Sequence, residues 1–164
     1  MERKIRKLQN NLLISGYAVI TFGLWSILKA VFYVFLKPEF FDEMFEWAEL
    51  AEYGEFGRKV AYFIIFFALV VDTLLRLFVG RRAIKESKGR KVSAFYLFVT
   101  AVLMAFSFAS LITLFSPENY SFSITDTIVS GAVELTALFI FCDLFYSSVT
   151  VRKLRKEGGE KDAA

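Results

Sequence analysis

Four long apolar runs separated by short charged stretches organise this chain: residues 12–36, 60–79, 92–115 and 124–151. Each reaches the roughly 20 residues a helix needs to cross the hydrocarbon core of a bilayer. The pattern predicts an all-α polytopic membrane protein, a four-transmembrane-helix bundle running up-down-up-down. A single domain should occupy residues 1–157, followed by a short disordered tail over 158–164. The first run follows a basic start, yet it is too long for a signal peptide and no small-residue cleavage pattern follows it. It reads as a retained first span.

The largest stretch between runs, Lys37–Lys59, has a different pattern. Seven acidic residues fall between Glu39 and Glu55 with no basic residue among them. Glu39, Asp42, Glu46 and Glu49 share one helical side, and Phe41, Met44, Phe45, Ala48 and Ala51 share another. Pro38 suits a helix start, Gly54 and Gly57 an end. This spacing predicts an amphipathic helix at the outer surface between spans 1 and 2, lying in the interface as a cap. An acidic funnel for cations, or a docking face, is the rival reading.

Charge then orients the spans. Lys and Arg number four before Leu8, six from Arg81 to Lys91 and five from Arg152 onwards, whereas the stretches assigned to the other side hold Lys37, Arg58 and Lys59. A Lys/Arg excess in short loops marks the cytoplasmic side, so both termini and the middle loop are expected there, in a plasma or inner membrane. The basic loop Gly80–Lys91 is suited to anionic lipid headgroups. The net charge of +3 comes from these flanks, and no nucleic-acid surface is read from it.

The ionisable residues inside the runs are the candidate sites. A charge near the centre of a span costs roughly 2.5–3.5 kcal/mol on the insertion scale, so each needs a partner, a proton or water. Glu134 and Asp143 lie nine apart, which at about 100° per residue turns them to nearly opposite sides of one helix. Asp72 and Arg76, four apart in the second run, are at pairing distance on one helix. Asp143 is expected at a depth similar to Asp72, so Arg76 could face two carboxylates. Lys29 matches Glu134 in depth, about 12 Å from the outer end. Snorkelling to the interface is the simpler reading of Lys29, and pairing with Glu134 the sharper one.

The third run contains no acidic or basic residue and presents Ala101, Ala105 and Ala109 at four-residue steps and Ser93, Thr100 and Ser107 at seven-residue steps. Small residues at such spacings let helices approach closely in lipid. Tyr17, Tyr96 and Tyr146 mark the expected inner boundary, and Tyr33, Tyr62 and Tyr120 the outer one.

Composition narrows the chemistry. With no histidine and one cysteine, Cys142, the chain lacks the residues for an internal disulfide, a CxxC pair, the usual zinc sets and a His-based triad. No metal, no cofactor and no enzymatic activity are expected. The reading that remains is a non-enzymatic accessory, scaffold or partner-binding subunit, whose membrane charges lock helices together or hold a further copy or another membrane protein. The alternative is a small proton- or cation-coupled transporter or channel using Glu134, Asp143 or both.

Overall fold

A computed structural model describes residues 2–36, 54–114 and 124–161. Among them there are four α-helices and no strand: α1 (Glu2–Leu36), α2 (Gly54–Ser87), α3 (Phe95–Leu114) and α4 (Ile124–Lys161). All four are long and apolar enough to cross a membrane. The expected amphipathic helix falls outside the described residues, except that 54–59 form the first turns of α2. There Lys59 pairs with Glu55 at 2.9 Å on an open surface.

Three helices exceed the apolar runs that predicted them. The basic start is already helical from Glu2, and α4 continues through Gly158 and Gly159 to Lys161. The stretch from Gly80, expected as a loop, is helical as far as Ser87. The reason is that Arg, Lys, Glu and Ala are strong helix formers. Hydropathy marks where a helix is apolar; the backbone ladder ends where a residue breaks it.

The chain divides into two units, one of 1–20 with 78–164 and one of 21–77. In the first, the start of α1, the end of α2, α3 and α4 bury Leu12, Val19, Val79, Ala83, Tyr96, Leu103, Phe141, Leu144 and Val151. Ser15, Thr100, Ser107, Ser147 and Ser148 are buried with them, small polar groups that permit close helix contact. On α3 the buried side is Tyr96, Val99, Thr100, Leu103 and Ser107. Ala105 and Ala109, expected in the packing stripe, are exposed. The seven-residue series therefore supplies the contact, by Thr100 and Ser107, while Ser93 is exposed.

A close crossing joins α1 to α2 in this unit. A Cβ placed on Gly80 would lie 2.7 Å from the Gly16 carbonyl oxygen and 2.6 Å from Ile20 Cγ1. Two glycines let the backbones approach where any side chain on Gly80 would collide.

The second unit comprises the rest of α1 and the start of α2. Its surface carries Leu24, Trp25, Phe32, Phe63, Phe66, Phe67 and Leu74. Outward apolar side chains are the rule in all four described helices: no more than 28% of the most apolar stretch of each is buried. Exposed apolar surface of this extent suits hydrocarbon rather than water.

Candidate functional site

Among the described residues the most deeply buried carboxylate is at the end of α2. Gly89 adopts φ +83°, the left-handed conformation that glycine enters without a Cβ penalty. Its N–H donates to the Glu86 carbonyl at 3.0 Å, and the Arg90 N–H to the Lys85 carbonyl at 3.2 Å. These two bonds form a Schellman cap. Ser87 Oγ donates to the Ile84 carbonyl at 2.8 Å, and Arg155 Nη2 to the Glu86 carbonyl at 3.3 Å. The cap reverses the chain over a few residues and places the first turn of α3 beside the last turn of α2.

Glu86 is left 2% exposed, surrounded by donors from two other helices. Arg152 approaches with its planar fork, Nε to Oε1 at 2.6 Å and Nη2 to Oε2 at 3.2 Å. Ser148 Oγ donates to Oε2 at 2.9 Å, and the Tyr96 hydroxyl donates to the same oxygen. Tyr96 and Ser148 also touch through their oxygens at 2.6 Å. Two hydroxyl hydrogens thus serve three oxygen–oxygen contacts, so one is shared. Arg152 spends a further donor on the carbonyls of Val92 (3.1 Å) and Ser93 (3.4 Å) and lies over the Tyr96 ring, 5.5 Å from its centroid. The cluster ties together α2, the turn, α3 and α4.

A carboxylate with this many internal donors is neutralised and occupied. Charge-assisted, forked hydrogen bonds of this kind are among the strongest a protein makes, and they offset the desolvation of a buried ion. The arrangement can hold helices in one register.

The residues singled out by sequence are distributed as follows. Arg76 Nε donates to Asp72 Oδ2 at 2.8 Å, the side chains 12% and 33% exposed. Gly23 makes room for Arg76: a Cβ there would lie 3.2 Å from Arg76 Cβ. Asp143 accepts a hydrogen bond from the buried Ser15 Oγ at 2.6 Å, which links α4 to α1. Asp143 lies in the first unit and Arg76 in the second. Glu134 is half-buried on α4 in the first unit, and Lys29 half-buried on α1 in the second. Among the described residues no three acidic or cysteine side chains converge as a metal site would require.

The sequence does not single out Glu86, Ser148, Arg152 or Ser15 as site residues, and Tyr96, placed by sequence near the inner boundary, is wholly buried. A signal for Glu86 was present. It is the one acidic residue between Gly80 and Lys91. It also continues the buried side of α2 from Val79 and Ala83 at helical spacing.

Compared with known proteins, the chain matches no family model, no curated protein and no solved structure.

Proposed function

We propose that this chain is a non-enzymatic multi-pass membrane protein that acts as an accessory or scaffold subunit. Its helices cross the bilayer up-down-up-down, with both termini and the α2–α3 turn on the cytoplasmic side of a plasma or inner membrane. The Glu86 cluster carries this reading. Glu86, the most buried carboxylate among the described residues, is occupied by Arg152, Ser148 and Tyr96 of the same chain, as a fastening would be. The outward Phe, Leu and Ile side chains support insertion in lipid. The basic flanks Arg3–Lys7, Arg81–Lys91 and Arg152–Lys156 support the orientation. With Glu86 locked inward, the protein offers its surroundings apolar helix faces. These suit a second copy or another membrane protein.

One observation favours a transporter or channel instead. Asp143 is half-buried in the apolar stretch and takes a hydroxyl partner, Ser15, through which a carboxylate can gain or lose a proton. Reconstitution in liposomes separates the two readings. The scaffold reading predicts that the purified protein leaves proton and monovalent-cation flux at the level of protein-free liposomes. Flux that appears with the unaltered protein and is abolished by Asp143→Asn or Glu134→Gln would replace it with the transport reading.

A further inference from the structure

At the same turn lies an open cavity of about 270 Å³ lined by Arg81, Ile84, Lys85, Lys88 and Arg90. Arg81, Lys85 and Lys88 follow one another at four- and three-residue steps along one side of α2 and its end. The Schellman turn at Gly89 then brings Arg90 to the same rim. Among the described residues none of the four cations is in an ion pair, unlike Arg76 and Arg152. Four unneutralised positive charges around one cavity make a site for an anion. A helix C-terminus ordinarily disfavours an anion, with roughly half a negative charge. Here the carbonyls of Lys85 and Glu86 are already taken by the N–H groups of Arg90 and Gly89, and the four side-chain charges outweigh the remainder.

The lining is chiefly apolar apart from its charged tips, with Ile84 as a wall. The cations begin directly after the apolar run that ends at Val79–Gly80. An inorganic anion has no use for an apolar wall; a phosphate ester carrying a glycerol and acyl chains does. The volume is near the lower end of the roughly 300–1,000 Å³ of small-molecule pockets. We propose that this cavity binds the phosphate headgroup of an anionic phospholipid in the cytoplasmic leaflet. The proposal rests on the membrane reading above and adds to it a defined site and ligand class.

The test uses the full chain in phosphatidylcholine nanodiscs carrying spin-labelled phosphatidylglycerol or spin-labelled phosphatidylcholine. The expected result is a preference for the phosphatidylglycerol label that falls about fivefold for each cation removed from Arg81, Lys85, Lys88 and Arg90 by substitution with Gln. The lysine-only variant K85Q/K88Q should lose a smaller part, and R81K/R90K should keep the preference. Removing the same number of charges at the N-terminus (R3Q/K4Q/R6Q/K7Q) should change it little. Equal losses from the N-terminal and cavity variants would show diffuse attraction and overturn the site. Displacement of the label by millimolar-range inorganic phosphate at constant ionic strength would reassign the cavity to free phosphate and overturn the lipid. Protein retained in the nanodiscs on flotation with no lipid preference overturns this proposal alone. Protein that does not float with the lipid overturns the membrane reading itself.

Discussion

Glu86 shows how much one side chain's surroundings decide. Replacing it with Gln removes the charge that Arg152 answers, and an ion left without its partner is the costly state. Arg152 keeps 27% of its side chain in contact with solvent, so the loss should fall below that for a fully buried pair, at about 2 kcal/mol. Thermal unfolding in mild detergent should show the drop, and adding Arg152→Met should restore part of it. Losses that simply add would mean the two side chains do not act as a pair. Arg152→Lys keeps the charge yet gives up the fork, and should cost about 1–2 kcal/mol in the same measurement. The sequence made the Asp72–Arg76 pair legible because a four-residue spacing on a helix is local geometry. It did not make Glu86 legible, because that burial depends on a turn bringing α3 and α4 over it. Ser148, one hydroxyl among apolar neighbours, gave no sign of its partner 62 residues away. Asp143 and Ser15, 128 residues apart, were hidden for the same reason.

At the scale of the element, helix existence and position were legible, since long apolar runs admit few other structures, while helix ends were not. The end of α2 is set by Gly89 in its left-handed conformation. Gly89→Ala should cost about 1–2 kcal/mol through that backbone conformation alone. It should also loosen the Tyr96–Glu86 contact, which near-ultraviolet circular dichroism of the tyrosine would register. The α1–α2 crossing depends on Gly80 in a different way, through space rather than dihedral angle. Gly80→Ala sets a methyl against the Gly16 carbonyl oxygen and Ile20, and the helices must separate at a cost of about 1–3 kcal/mol. Gly16→Ala meets Ile84 Cγ1 at 3.0 Å and the Gly80 oxygen at 3.1 Å, a milder conflict, and should be the better tolerated of the two. The reverse order in detergent unfolding would show that the crossing is not as close as described. Neither glycine stands out in the sequence beside the alanine series of α3, because spacing names a stripe without saying which stripe meets a neighbour.

Among the described residues the buried side chains are few and partly polar and the exposed ones broadly apolar, an arrangement suited to a bilayer. The charges of the molecule are sorted with the same logic. Three carboxylates of the described helices are held in contacts, Glu86 with Arg152, Asp72 with Arg76 and Asp143 with Ser15, and the basic excess lies at three flanks. The number of long apolar helices was legible from hydropathy, and the proposed orientation follows from the Lys/Arg count; the polar fastening between helices was the part that pairwise, long-range geometry concealed. Four spans with cytoplasmic termini is the claim on which the scaffold reading, the lipid site and the placement of the Glu86 cluster all rest. Single cysteines introduced in a Cys142→Ala background at Lys4, Glu49 and Lys91, treated with a membrane-impermeant maleimide, test it most directly. The account predicts that the Glu49 position labels in intact cells and that the Lys4 and Lys91 positions label only after permeabilisation. Labelling of Glu49 and Lys91 from the same side would contradict it.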